Sequence, residues 1–312
     1  MPCTIDWNSL NFSEWNQRFK KIPQAPVLQA YDYARAVCPL YRQRARWGLI
    51  RINGMEAGLC QVLEAGFPRF LHAVMLDRGP LWFDGFGEFS HFQAFIGEFT
   101  RIFPKTPLRR RRIIPEIATS NEIHGLMVQS GWRLKTRHNY QTSWLDLTQS
   151  LENLRKNLKK PWRGALSKGE KSTFKIAYDR DLKTLDGFLS AYAADRRQKE
   201  YQGPSVRFLK ALTQSFGPAN VLLANAYLEN RIVAAILILC HGSSATYQTG
   251  WTTNEGRDLC AHHVLLWDAI QSLKSRGVQY FDLGGVHEQA AGIKSFKDGM
   301  GGAPLILPGL YV

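Results

Sequence analysis

The residues best placed to do chemistry lie near the carboxyl end. Tyr280-Phe281-Asp282-Leu283-Gly284-Gly285-Val286 is followed by Gly292-Ile293-Lys294-Ser295-Phe296-Lys297-Asp298-Gly299-Met300-Gly301-Gly302. An apolar strand ends in two glycines. A short loop follows, then one helical turn with a Phe-Lys pair, then a second glycine-rich exit. Paired glycines let backbone approach a ligand closely or take positive φ. A lysine held between two such hinges suits a developing negative charge, as on the oxygen of an acyl group under attack. A positioned cation or N–H donor at such an oxygen is worth roughly 3–4 kcal/mol. Lys297 is the candidate cation, with Gly284 and Gly285 as candidate backbone donors. For a general base the residues offer Asp298, beside Lys297, although neighbours on a helix point about 100° apart. Glu116, after Pro115, is a second candidate that could face a cleft between the two halves of the chain. A substrate phosphate could serve instead.

Other side chains suggest contacts with a polyanion. Arg155, Lys156, Lys159, Lys160, Arg163, Lys168 and Lys171 form a dense basic stretch that contains Trp162. On helices it presents a charged face suited to an RNA backbone, or simply to water. Arg109–Arg112 is a second basic run beside a strand. Arg257 precedes a long helix whose N-terminus could receive a phosphate. His262-His263 lacks HExxH or carboxylate spacing, so no zinc site is expected, and no GxSxG elbow, Walker loop or GxGxxG is present.

These residues need elements to position them. Apolar periodicity predicts helices over Ser13–Lys20, Val27–Val37, Glu88–Phe103 and Asn121–Ser130 in the first half. Strands are expected at Trp47–Ile52, Met55–Leu63 across an Asn53-Gly54 turn, Arg69–Leu76, Ile113–Ile117, Trp132–Thr136 and Tyr140–Leu147. The second half repeats the order. It has basic helical segments over Leu151–Leu158 and Trp162–Lys171, helices over Leu182–Tyr201, Ser205–Phe216 and Leu259–Ser275, and strands at Phe174–Tyr178, Val221–Leu228, Ile232–Cys240, Ala245–Trp251 and Val278–Leu283. The chain thus reads as two copies of one α/β unit, residues 1–148 and 149–312, with the last residues able to pack back on the first copy.

Bulk properties fit that reading. A chain of 312 residues accommodates two domains of about 150 residues each. A net charge of +14 favours polyanionic partners: nucleic acid, anionic headgroups or phosphorylated substrates. Five scattered cysteines, an odd number without CxxC spacing, fit free thiols in a reducing cytosol. The N-terminus lacks a signal-peptide pattern, and the longest apolar run, Ile232–Cys240, is far below the roughly 18 residues a span needs. A soluble, cytoplasmic protein is expected, with at most peripheral contact at the inner face of a membrane.

Several segments, in this order, resemble the FemABX-like aminoacyltransferases, which build peptidoglycan interpeptide bridges. They are Val27-Leu28-Gln29-Ala30-Tyr31-Asp32-Tyr33, Asp77-Arg78-Gly79-Pro80, Gln141-Thr142 with Leu145-Asp146-Leu147, Trp162-Arg163, Asp282-Leu283-Gly284-Gly285 and Phe296-Lys297-Asp298-Gly299-Met300-Gly301-Gly302. The resemblance covers nearly the whole chain. It implies an α/β (α+β) fold of two tandem GNAT-like domains, each a mixed, mostly antiparallel sheet flanked by helices. It implies transfer of an amino acid from aminoacyl-tRNA, as co-substrate and without another cofactor, to an amine of a peptide or nucleotide-sugar-peptide acceptor. By the same resemblance Lys297 lies at the aminoacyl ester with Phe296 beside it. Arg197 and Tyr201, four residues apart on one helix face, hold the acceptor's diphosphate, and Tyr247 stands on a central strand of the site. The coiled-coil arm of several family members has no counterpart here.

The alternative is an acyl-CoA-dependent N-acyltransferase on the same fold, acting on a sugar or peptide amine. Such enzymes hold the CoA pyrophosphate on a glycine-bearing turn that opens a helix. The corresponding place, Arg257-Asp258-Leu259-Cys260-Ala261-His262-His263, has no glycine. The residues leave open which amino acid is transferred, which amine receives it and which group is the base.

Overall fold

The computed structural model describes residues 1–66, 72–136, 140–285 and 291–312. The chain divides into two compact units, Met1–Gln141 with Leu305–Val312, and Thr142–Pro304.

The first unit opens with β1 (Cys3–Trp7), α1 (Phe12–Phe19), α2 (Tyr31–Tyr41), β2 (Arg44–Ile52) and β3 (Met55–Gly66). It continues with β4 (His72–Asp77), β5 (Leu81–Trp82), α3 (Phe89–Ile102), β6 (Arg109–Ile114), α4 (Asn121–Gln129) and β7 (Leu134–Thr136). The second unit contributes β8 (Gln141–Asp146), α5 (Leu151–Asn157), α6 (Lys160–Gly169), β9 (Lys175–Tyr178), α7 (Leu185–Gln198) and α8 (Val206–Phe216). Then come β10 (Val221–Leu228), β11 (Arg231–His241), β12 (Ser244–Thr252), α9 (Asn254–Asp258) and α10 (Ala261–Ser275). The chain ends through β13 (Tyr280–Asp282), α11 (Ala291–Asp298), β14 (Ala303–Ile306) and β15 (Leu310–Tyr311).

Local chemistry sets many of these boundaries. Asn11 and Glu14 form a reciprocal capping box on α1, and Ser120, Ser150 and Ser205 each accept an amide N–H at the start of α4, α5 and α8. Asn53 and Gly54, both at positive φ, turn β2 into β3. The helix expected over Val27–Val37 begins instead with a 3₁₀ turn at Val27–Gln29. There the buried Gln29 amide donates to the carbonyls of Gln61 and Asp77 and accepts the Gln61 N–H, so it bridges β3 and β4 where backbone pairing lapses. The start of the strand expected over Arg69–Leu76 lies outside the described residues, as does Val286.

The first sheet has the order β1-β2-β3-β4-β6-β15-β7, with β5 paired to β3. Its strands β4 and β6 run parallel and stay paired from His72–Arg109 to Asp77–Ile114. Phe92, Phe95, Ile96 and Phe99 of α3 bury against Val62, Val74, Leu76 and Ile113 to form the core. The second sheet has the order β14-β8-β13-β12-β11-β10-β9. Its core joins Ile236 and Ile238 of β11 to Leu265, Trp267, Ile270 and Leu273 of α10. Strand β8, read from sequence as the end of the first half, pairs with β13 in this second sheet. The change of unit therefore falls at Gln141/Thr142 rather than at 148/149. Among the described residues no helix exceeds the 15 residues of α10, and none is long and apolar enough to cross a membrane.

Candidate active site

Strands β12 and β13 pair in parallel at Ser244–Tyr280, Ala245–Phe281 and Thr246–Asp282. Strand β13 ends there, while β12 runs on to Thr252. The strands part at Tyr247, where a bulge opposite Leu237 and Ile238 leaves Gln248 as an extra residue in β12 and re-aims its neighbours. After β13 the chain turns at Gly284, φ +76. A Cβ there would lie 2.8 Å from the Tyr247 carbonyl oxygen, so only glycine lets the turn close this tightly on β12.

Helix α11 places Lys297 at this parting. The side chain is 8% exposed. Its Nζ donates to the carbonyl oxygens of Gly284, 3.1 Å, and Gly285, 3.0 Å, and lies 5.7 Å from the centre of the Tyr247 ring. Burial pulls the ammonium down to about 8, with the charge of Asp282 opposing that fall. Lys297 therefore remains mostly a cation at neutral pH. Among the described residues, carbonyls hold two of its three N–H groups, and a ligand oxygen can take the third. Gly284 does not act as the expected backbone donor: its N–H is committed to Asp282 Oδ1 at 2.8 Å, and its carbonyl, like that of Gly285, accepts from Lys297. The cation, not the Gly284 amide, is the donor that the turn offers.

The rest of the glycine-rich segment fixes α11. A Cβ on Gly299 would meet Trp162 at 2.8 Å, and one on Gly301 would meet the Asn157 carbonyl at 2.2 Å. The Lys159 N–H donates to Gly299 O. The start of α6 is thereby tied to the exit of α11. Phe296 packs edge-on to His262 and His263, 5.7 and 5.0 Å between centres, and 6.0 Å from Trp162. Burial pulls both imidazoles down to about 4, so they are neutral at pH 7. His262 Nε2 shares a hydrogen bond with the Tyr247 hydroxyl, 3.1 Å. Sequence spacing gave these histidines no role except an unfulfilled metal pattern. Their placement follows from a helix break at Cys260, which takes φ +60 without glycine and starts α10 anew.

The structure therefore gathers Lys297, Phe296, Tyr247, Gly284 and Gly285. It separates others. Helix α7 ends at Gln198, and Glu200 takes φ +52, so Tyr201 is off the helix and shares no face with Arg197. Tyr201 donates to Asp195 Oδ2 at 3.4 Å and meets Tyr192 edge-on. Burial pushes its phenol up, as it does that of Tyr247, on which the neighbouring Tyr201 also acts. Arg197 is exposed on a groove between α7 and α8 that includes Asp186 and Lys210. Both carboxylates suggested as a base are engaged in ion pairs. Asp298 pairs with Lys294 at 2.6 Å. In the first unit, both Glu116 oxygens accept from the buried Arg78 at 2.6 and 2.7 Å.

The basic stretch is likewise divided. Arg155 forks onto Glu170 at 2.6 and 2.7 Å, and Trp162 is buried in the core rather than displayed among the charges. Lys156, Lys159, Lys160 and Arg163 are exposed. Of the run Arg109–Arg112, which lies on β6 itself, Arg111 is buried over the Trp132 ring. The N-terminus of α10 is closed: Ala261 is fully buried, and a Cβ on Gly169 of α6 would lie 3.1 Å from the Cys260 carbonyl.

Residues 152–298 match the family described as Acetyltransferase (GNAT) domain. A crystal structure of FemX superposes with a TM-score of 0.80 at 13% identity, covering 98% of this chain and 96% of that one. The C-terminal domain (DUF2156) of a putative lysylphosphatidylglycerol synthetase from Agrobacterium fabrum gives 0.57 at 14% identity, covering 97% and 92%. A tandem GNAT protein from the clavulanic acid biosynthesis pathway gives 0.52 at 8%, covering 99% and 98%. No curated protein matches the chain. The chain thus has the tandem GNAT-like fold seen in FemX, with residues 152–298 similar to the acetyltransferase (GNAT) domain model.

Proposed function

We propose that the protein is an aminoacyltransferase that moves an amino acid from aminoacyl-tRNA to an amine of a peptide acceptor, most specifically a peptidoglycan precursor. The observation that carries this reading is the buried Lys297 ammonium at the parting of β12 and β13, aimed by the Gly284 and Gly285 carbonyls. The acceptor amine attacks the ester carbonyl carbon and a C–N bond forms. Negative charge collects on the carbonyl oxygen, where Lys297 donates to it. Collapse breaks the bond to the ribose oxygen, which leaves with the proton that the amine gives up. The products are an amide and uncharged tRNA. Such chemistry asks little beyond position and charge, because the ester is already activated.

The exposed Lys156, Lys159, Lys160 and Arg163 and the net charge of +14 support a nucleic-acid donor. A second reading, transfer from acyl-CoA, is favoured by the acetyltransferase family match. Against it, the turn into α10 has no glycine between Arg257 and His263, and Ala261 is fully buried. A pyrophosphate cradle needs backbone N–H groups open to the ligand. Incubation with a mixed charged-tRNA pool and candidate amines decides between them. Acceptor-dependent loss of one aminoacyl ester, resistant to excess acetyl-CoA, supports the first reading. Acetyl-CoA consumption without RNA reverses it.

A further inference from the structure

The mechanism above leaves one buried acid unused. Asp282, fully buried at the end of β13, accepts the Gly284 N–H at 2.8 Å and the Thr142 hydroxyl, both at Oδ1. Thr142 stands on β8, the strand beside β13, so the carboxylate is anchored from two strands. Gly284 is also the residue whose carbonyl holds Lys297.

We propose that Asp282 is the positioning residue of the Lys297 ammonium. Through the Gly284 N–H it sets the turn whose carbonyls aim Nζ, and its negative charge keeps that buried group protonated. The inference rests on the reading of Lys297 as the working cation, but its test does not need turnover.

Three observations converge on it. The Gly284 N–H and C=O point to Asp282 and Lys297 respectively, so one peptide turn links acid and base. The turn has no slack, because Tyr247 O blocks any side chain at Gly284. Burial alone disfavours a charged lysine, and Asp282 is the group whose field opposes that. Among the described residues, the other polar groups around Nζ do not supply that charge. Tyr247 on β12 is a neutral phenol, and His262 on α10 is a neutral imidazole. On α11 itself, Lys294 and Asp298 neutralise each other. Asp282 thus acts on the reaction through Lys297 and never touches the substrate.

The test is an NMR titration of selectively labelled lysine in the substrate-free protein, with Lys297→Met to assign the signal. In Asp282→Asn, which keeps an acceptor oxygen and loses the charge, the Lys297 midpoint should fall by about one unit or more. An unchanged midpoint overturns the proposal. Should Asp282→Asn fail to fold, Asp282→Glu takes its place: it keeps the charge but lengthens the side chain by one methylene, so the carboxylate no longer sits on the Gly284 N–H and the Lys297 midpoint should move. An unmoved Lys297 midpoint in that variant overturns the proposal as firmly. Where transfer activity is measurable, Asp282→Asn should lower kcat about tenfold at pH 8 with little change in KM, and recover part of it at lower pH. If the wild type transfers nothing, the proposed function fails while the titration still decides the role of Asp282.

Discussion

Tyr247 and His262 are joined by a 3.1 Å hydrogen bond, Oη to Nε2, directly above the position in β12 where no side chain fits. That position is Gly250. A Cβ there would come within 2.4 Å of His262 Cε1 and 2.5 Å of Tyr247 Oη. The bond fixes the phenol ring that flanks Lys297, so the glycine two residues past the bulge is part of the site's frame.

Gly250→Ala should therefore break the Tyr247–His262 contact. Overpacking of this kind costs about 1–3 kcal/mol and moves side chains off their rotamers. Thermal unfolding should fall by several degrees, and transfer activity should fall further than the stability loss explains. Gly187→Ala is the control. Gly187 sits exposed on α7 with nothing within 4 Å of a new Cβ. It should gain about 0.5–1 kcal/mol and keep full activity.

Lys297→Met separates function from stability. Loss of the cation should reduce turnover roughly a hundredfold or more. The folded protein should be no less stable at pH 7, because the wild type bears the cost of burying an ammonium whose value falls from 10.5 to about 8. The sign follows from proton binding. Between pH 8 and 10.5 the unfolded chain holds the proton that the folded chain has lost, so wild-type stability rises there. The advantage of Lys297→Met, up to about 3 kcal/mol at pH 7, should shrink across that window in urea titrations. A constant difference would mean that Lys297 titrates normally.

How far this site could be read from the sequence depended on range. The glycines at 284, 285, 299, 301 and 302 flagged the Lys297 segment because close approach leaves a mark at the residue itself. The Asn53-Gly54 hairpin was legible for the same reason. Breaks without glycine or proline were not: Cys260 and Glu200 both take positive φ, trimming the start of the helix expected over Leu259–Ser275 and the end of that over Leu182–Tyr201. Tyr201 was misplaced by that second break. Strand β8 lies next in sequence to the first unit, and its partner β13 is over 130 residues away, so no local signal assigns its sheet. Asp282 and His262 gain their roles only through partners on other elements. Trp162 lies amid lysines in the sequence, and its burial depends on core residues from distant elements such as Leu265 and Met300.

The two histidines should make the fold acid-sensitive. Both are pulled from 6.5 to about 4 by burial, so the unfolded chain takes up protons before the folded one does. Their contribution is whole above pH 6.5 and is lost as pH falls from 6.5 towards 4. His262→Asn should flatten part of that fall in unfolding midpoints measured from pH 7.5 to 4.5. If the variant and the wild type lose stability in parallel, His262 is not the group responsible.

RNA binding should depend on which basic residues are free to reach a phosphate. Lys160 and Arg163 are exposed, whereas the Arg155 guanidinium is occupied by Glu170. Each phosphate contact removed lowers the slope of log affinity against log salt by about 0.7–0.9. Lys160→Glu combined with Arg163→Glu should therefore weaken tRNA binding about tenfold or more near 0.1 M salt and flatten that slope by one to two contacts' worth. Arg155→Ala should leave the slope nearly intact and cost at most about 1 kcal/mol of stability, since the fork to Glu170 is partly in water. Trp162→Ala should act differently again. It empties core volume beneath Phe296, so unfolding should cost about 3–5 kcal/mol less while the salt slope stays put. Anisotropy of labelled tRNA across a salt series reads all three. Identical slopes for the double variant and the wild type would remove α6 from the RNA surface and shift the search to other exposed cations, such as Arg110 on β6.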